Sequence, residues 1–155
     1  MQLRQRLQGQ PETLSDFAAA AEQKYWEAIE LAACGHRGGG IYLMGYAAEM
    51  YLKVSAFRFD GASLADLIEP RLAPARNWLK AQPTSVAHES YHSVLFWMAY
   101  LRGRRVAKHH ALPTELDGQL VHRVRRIYSV WWVEMRYRPD QATPIEVERL
   151  FRDVT

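Results

Sequence analysis

Apolar residues along the chain recur with the 3.6-residue period of an α-helix, and no segment sustains the two-residue alternation of a strand. The first apolar stripe begins at Leu14 and is ended by Gly35, which predicts a first amphipathic helix. A second stripe predicts a helix over residues 41–59, after a glycine-rich loop at residues 36–40. The small residues of this second helix permit close approach of a neighbouring helix.

The remainder of the chain predicts helices of unequal length. Glycine and proline divide residues 60–82 into an irregular connection with short helical pieces at 64–69 and 75–80. A third helix is predicted over residues 85–101, then a basic loop over 102–113. A long helix follows over residues 114–137, opened by Thr114 with Asp117 three residues on. Thr143, Pro144 and Glu146 form a complete start signal for a last short helix.

These elements predict an all-α protein, a four-helix up-and-down type bundle with short extra helices. At 155 residues the chain suits one domain, which we place at residues 12–155 after an N-terminal extension at residues 1–11. Its single cysteine, Cys34, excludes an internal disulfide, and no long apolar run indicates a membrane segment. We therefore expect a cytoplasmic protein. The glycine-rich loop lacks the ending of a phosphate-binding loop, so no cofactor is predicted.

The positive charge is concentrated in arginine. The formal net charge is only +3, yet 16 of the 20 basic residues are Arg. The densest run contains Arg102, Arg104 and Arg105, and a smaller stripe contains Arg123 and Arg126. Arginine's planar fork suits phosphate recognition, but cations also accumulate at helix ends without binding anything. The pattern alone leaves both interpretations open.

Residues 88–92 spell H-E-x-x-H, in which His88 and His92 are one helical turn apart and Glu89 lies between them. On a helix, such histidines bind zinc while the glutamate activates a water molecule. A zinc-dependent hydrolase or metal-binding bundle is therefore an alternative. An ordinary histidine pair near a helix start is the competing interpretation, because no sheet edge is predicted to hold a substrate.

Two short segments resemble the HEPN domain family. Residues 45–53 (GYAAEMYLK) resemble its second-helix signature, in which small residues precede a Glu and a Leu-Lys pair. Residues 136–140 (RYRPD) resemble the Arg-Tyr-Pro-Asp element that one branch carries between the long helix and the last short helix. The order of helices predicted over residues 12–154 agrees with that of the family.

The resemblance implies a dimerising helical bundle with an interface groove for nucleotides or RNA. Many family members are ribonucleases of toxin-antitoxin or defence systems that use an Arg and a following His with four to six residues between them. Others are inactive partners of nucleotidyltransferases. By position the Arg is Arg136, but Gln141, Ala142 and Thr143 occupy the places where the His would fall. The resemblance therefore implies no intact ribonuclease centre, and no catalytic residue is assigned.

On this interpretation the chain is a non-catalytic, nucleotide- or RNA-associated module whose partners include a second copy, a nucleotidyltransferase or an antitoxin. Five tryptophans and the small-residue second helix also allow an alternative, a dimeric interaction or scaffold subunit. From spacing alone, Glu49 and Lys53 equally form a surface i,i+4 pair. The binding residues implied are Arg136, Tyr137, Arg138, Arg102, Arg104, Arg105, Glu49 and Lys53.

Overall fold

The computed structural model describes residues 12–137 and 140–155, which form six α-helices and two short 3₁₀-helices. The predicted N-terminal extension lies outside these residues. The 3₁₀-helices are Ser85–His88 and Val133–Tyr137. The α-helices are α1 (Leu14–Ala33), α2 (Arg37–Phe59), α3 (Glu69–Lys80), α4 (Val94–Ala107), α5 (Thr114–Val130) and α6 (Pro144–Val154).

Helix α2 lies at the centre of the fold. It packs along α1 and also contacts α4 and α6, while α5 packs against α4 and α6. Two apolar clusters form the core: one joins α1, α3 and α4 to the end of α2, and the other joins α5 and α6 to its beginning. The only strand-like pairing among the described residues is the isolated bridge between Thr13 and Leu67. The predicted all-α class is confirmed.

The predicted starts of the first and last helices are confirmed. Helix α1 begins at Leu14. At α6, the Thr143 hydroxyl accepts a hydrogen bond from the Glu146 amide, and the Glu146 carboxylate accepts one from the Thr143 amide. Both N-terminal amides therefore have partners, as the start signal predicts.

The glycine-rich loop predicted at residues 36–40 is wrong, because α2 already begins at Arg37. The amide of Gly38 donates to Asp140 Oδ1 at 2.8 Å, which provides a partner for the open helix end. A Cβ on Gly40 would lie 3.0 Å from the Ala28 carbonyl oxygen. These glycines therefore serve close helix packing rather than a flexible turn.

The short connection after α2 also differs from the prediction. Residues 64–68 form turns and bends, and one helix, α3, runs unbroken across the second predicted piece. Pro70 lies in the first turn of α3, where its missing N–H needs no partner. Pro74 lies inside the helix and costs it one hydrogen bond.

The prediction of a third helix over residues 85–101 places both its start and its end too early. Residues 85–88 form a 3₁₀-helix, and α4 begins only at Val94, where the Ser93 hydroxyl accepts a hydrogen bond from the Phe96 amide. Helix α4 then continues to Ala107, so the first half of the predicted basic loop is helical. Arg104 and Arg105 lie in its last turn, where cations interact favourably with the helix dipole.

The long helix, α5, ends at Val130 rather than at residue 137. Trp131 is extended, its buried ring packs on Gly45, and its Nε1 donates to the Tyr42 carbonyl at 3.0 Å. This anchor on α2 turns the chain away from the helix axis. The predicted start of α5 at Thr114 is confirmed, although Pro113 rather than Thr114 occupies the N-cap.

Candidate functional site

Glu49 and Lys53 form a buried ion pair on α2, so their interpretation as a surface pair is wrong. Their exposed fractions are 0% and 5%, and Lys53 Nζ donates to Glu49 Oε1. The ammonium also lies 5.6 Å from the centroid of the Phe17 ring and 5.5 Å from that of Trp97. Aromatic faces attract a cation, so these rings help to hold Lys53 in the core.

Glu49 keeps one oxygen without a partner. Its Oε2 atom is buried and forms no hydrogen bond with any residue that the structure describes. An unpaired buried polar atom costs on the order of 1–3 kcal/mol, and a buried ion pair contributes little net stability. Stability alone therefore does not account for this carboxylate.

His92 connects the buried carboxylate to the surface. Its Nδ1 lies 3.3 Å from Glu49 Oε1, and its side chain is half exposed. His92 lies in the short segment between the first 3₁₀-helix and α4, where its amide donates to Ser90 Oγ at 3.1 Å. This local hydrogen bond fixes the backbone that carries the imidazole.

A cavity of about 270 Å³ opens beside His92. Two partly exposed rings, Tyr128 and Trp132, line it together with Glu89 and Glu134. The Tyr128 hydroxyl lies 3.4 Å from both Glu89 carboxylate oxygens. The negative charge of Glu89, with burial and this hydrogen bond, raises the pKa of Tyr128. None of the described lining residues is Lys or Arg, so they give the cavity negative charge.

The H-E-x-x-H segment does not form the predicted helical motif. His88 is the last residue of a 3₁₀-helix, and the next five residues are not helical. His92 Nδ1 faces Glu49. Among the described residues, no three His, Cys, Asp or Glu side chains are gathered as a metal site requires. The geometry therefore offers no support for a zinc centre at His88 and His92.

The basic residues at the end of α4 have acidic or aromatic partners. Arg102 Nε and Nη2 each lie 2.6 Å from an Asp117 oxygen in a bidentate pair. Arg104 Nε donates to Asp60 Oδ1 at 2.8 Å. The Arg105 guanidinium carbon lies 4.8 Å from the centroid of the Phe59 ring. These contacts stabilise the fold and leave this predicted cluster less free charge for an anion.

The residues of the Arg-Tyr-Pro-Asp-like segment are only partly described. Arg136 and Tyr137 belong to the second 3₁₀-helix, but their side chains lie outside the described part of the structure, as does Arg138 altogether. Asp140 is described, and its Oδ1 accepts hydrogen bonds from the amides of Gly38 and Ala142. This segment therefore adjoins the beginning of α2. That this segment and Glu49 belong to the same binding site, as the resemblance implies, stays a prediction.

A second group of arginines lies on α5 and α6. We call the cavity of about 490 Å³ between these helices the arginine groove; Arg126, Arg149 and Arg152 line it. Two of its arginines are paired: Arg126 Nε lies 2.8 Å from Asp153 Oδ2, and Arg152 binds Glu148. Arg149 is exposed and forms no direct ion pair with a described residue, although its charge contributes to lowering the pKa of Glu146, which also lines the groove.

Helix α5 adds positive charge next to the groove. Its residues 118–130 include three arginines and one histidine and no acidic residue. Arg123 and Arg125 are exposed and form no hydrogen bond or ion pair with the described residues. Arg123 precedes Arg126 by three residues, which places both on one side of the helix. The arginine stripe on α5 is visible in the sequence. That Arg149 lies next to it depends on how α5 packs on α6, which the sequence does not show.

No helix in the described part of the chain is both long and apolar enough to cross a membrane. No family model matches the chain, and none of the curated proteins or solved structures is similar to it.

Proposed function

We propose that this chain is a non-catalytic helical module that binds RNA or nucleotides through the arginine groove and the adjoining surface of α5. The observation that carries the proposal is the group of exposed, unpaired arginines: Arg123 and Arg125 on α5, and Arg149 on α6. Phosphate backbones are recognised first by such charge. The resemblance to HEPN domains independently favours RNA or a nucleotide over other anions.

The comparison of the two basic clusters supports this choice of surface. Arg102 and Arg104 are already neutralised by Asp117 and Asp60, so a phosphate would have to displace a carboxylate there. Arg123 and Arg125 have no such competitor among the described residues. Free arginines lose less on binding a phosphate, because no existing ion pair is broken.

The residues at the positions of the ribonuclease His support a binding role. Thr143 caps α6, and Gln141 and Ala142 contain no group that titrates near neutral pH. We therefore propose binding without cleavage: the arginines hold the phosphates of the RNA, but the His of the family's catalytic Arg-His pair is missing. A role in a toxin-antitoxin or defence system, with an antitoxin or nucleotidyltransferase partner, belongs to the same proposal.

Binding of a short unstructured RNA, measured by fluorescence anisotropy at low salt, tests the arginine surface. The double variant Arg123→Gln/Arg149→Gln should bind at least about tenfold more weakly than the wild type, because two phosphate contacts are lost. The matched control is Arg58→Gln/Lys80→Gln, which removes the same charge from exposed positions on α2 and α3. Equal affinities of the two double variants would contradict the proposal.

A specific observation also favours self-association. Trp26 on α1 is 57% exposed and Tyr51 on the adjacent helix α2 is 38% exposed, so both rings present apolar surface to solvent. We propose that a second copy covers Trp26. Light scattering at micromolar concentration should give the mass of a dimer, and Trp26→Gln should shift it toward the monomer. A wild-type monomer would overturn this part of the proposal.

A further inference from the structure

We propose that Glu49 orients His92 as a hydrogen-bond acceptor, and that the cavity beside His92 binds a small cation that carries a hydroxyl group. This site is separate from the proposed RNA surface. It differs in charge: Glu89 and Glu134 line the cavity without any Lys or Arg among its described lining residues, whereas three arginines line the groove between α5 and α6 together with Glu146 and Asp153.

The first step of the argument is the orientation of the imidazole. Glu49 Oε1 lies 3.3 Å from His92 Nδ1, and the same oxygen accepts a hydrogen bond from the Lys53 ammonium. A carboxylate only accepts hydrogen bonds, so in the neutral ring it favours the tautomer with the proton on Nδ1. The lone pair of His92 is then on Nε2, at the opposite side of the ring.

The second step is the environment of the two ends of this pair. Glu49 is fully buried, whereas the His92 side chain is 50% exposed and lines the cavity. The imidazole is therefore the connection between a buried charge and a ligand-sized space. A buried carboxylate beside a histidine fixes the orientation and the tautomer of its ring.

The third step is the kind of molecule that the cavity fits. The rings of Tyr128 and Trp132 offer apolar and cation-attracting faces, and the Glu89 carboxylate lies at the Tyr128 hydroxyl. Negative charge at the walls disfavours phosphate and favours a cation. A hydroxyl group on that ligand donates its hydrogen bond to His92 Nε2, which stays an acceptor throughout, so no bond is made or broken.

The orientation is tested on the wild-type protein without any substitution. Long-range ¹⁵N–¹H spectra distinguish the two neutral tautomers of a histidine ring. We expect His92 to carry its proton on Nδ1 at a pH where the ring is neutral. A proton on Nε2 would overturn the proposed pair.

The reactivity of His92 is tested with diethyl pyrocarbonate, which acylates neutral imidazole nitrogens, and with mass spectrometry to measure each site. The matched control is His88, an exposed histidine four residues before His92. Glu49→Gln should slow acylation of His92 by about fivefold and leave His88 unchanged, because the orienting charge is lost. If Glu49→Gln does not fold, Glu49→Asp replaces it, and a smaller decrease in the acylation rate of His92 is expected. An unchanged rate at His92 in the folded variant argues against the pair.

The ligand class is tested with choline, which carries a hydroxyl and a fixed positive charge, and with inorganic phosphate. Choline should protect His92 from acylation and leave His88 exposed, and Glu89→Gln should reduce that protection. Protection by phosphate, or no protection by choline, would overturn the proposed ligand class. Loss of RNA binding by the arginine variants leaves this result unaffected, so the two proposals fail independently.

Discussion

The Asp60 side chain ties the end of α4 to the end of α2. Its carboxylate accepts hydrogen bonds from the Tyr100 hydroxyl at 2.6 Å and from Arg104 Nε at 2.8 Å, and Lys108 Nζ lies at 3.0 Å. Burial alone raises the pKa of Asp60, but the hydrogen bonds from Tyr100, Arg104 and Lys108 outweigh it and leave the pKa below its ordinary value. Burial and the hydrogen bond to Asp60 raise the pKa of Tyr100.

The Asp60 contacts predict a pH-dependent stability. A carboxyl whose pKa is lower in the folded state stabilises the fold above its unfolded pKa, and this contribution is lost as pH falls through the folded pKa. Asp60→Asn should therefore lower the free energy of unfolding by about 1–3 kcal/mol near neutral pH. The loss should shrink in acid, because the wild-type carboxyl becomes protonated as the pH falls through its lowered pKa. Urea unfolding near neutral pH and in acid measures the difference.

The control for this prediction is Glu148→Gln. Glu148 is 69% exposed and its partner Arg152 is 66% exposed, so its loss should change stability by less than about 0.5 kcal/mol at either pH. A cost of Asp60→Asn that did not vary with pH would show that the ionised carboxylate is not what stabilises this corner.

Single residues were predictable from the sequence only through their local spacing. The four-residue separation of Glu49 and Lys53 correctly predicts an ion pair, but their burial follows from how α1 and α4 cover α2. The contact between His92 and Glu49 joins residues far apart in sequence. No local pattern contains it, so the candidate site required the fold.

At the scale of helices, the packing of Trp131 against α2 depends on a residue without a side chain, Gly45. A Cβ on Gly45 would lie 2.2 Å from Trp131 Cγ, closer than any real contact allows. Trp131 directly follows the last residue of α5, so its contact with Gly45 helps to determine where α5 stops and how it meets α2. The sequence predicts a tight helix contact from the small residues of α2, but not its partner.

Gly45→Ala should lower the free energy of unfolding by about 1–3 kcal/mol, because the Trp131 ring or the α2 backbone must shift. The matched control is Gly118→Ala on α5, where an added Cβ meets no atom within 4 Å. That variant should raise stability by about 0.5–1 kcal/mol, because alanine favours the helix interior. Thermal and urea unfolding measure both. A neutral Gly45→Ala would contradict the packing described for Trp131.

Helix existence was predictable, whereas several helix ends were not. The start of α6 follows from Thr143, Pro144 and Glu146, which act within one turn of each other. The ends of α4 and α5 depend on contacts distant in sequence, such as Arg104 with Asp60 and Trp131 with Tyr42. Periodicity identifies an amphipathic segment, but such contacts decide where it begins and stops.

At the scale of the whole molecule, folding sorts the arginines into two groups. Those at the end of α4 are held by Asp60, Asp117 and Phe59, while Arg123, Arg125 and Arg149 stay exposed on α5 and α6. The sequence shows both clusters but not their acidic neighbours. The net charge of +3 therefore understates the positive charge that α5 and α6 expose.

The dependence of RNA affinity on salt tests this account most directly. Each phosphate contact with a single strand contributes about 0.7 to the slope of log K against log salt, so Arg123→Gln/Arg149→Gln should flatten the slope by about 1.4. The control Arg58→Gln/Lys80→Gln should leave the slope at the wild-type value. An unchanged slope in the arginine variant, or an equal flattening in the control, would contradict the claim that the α5 and α6 arginines hold the phosphates.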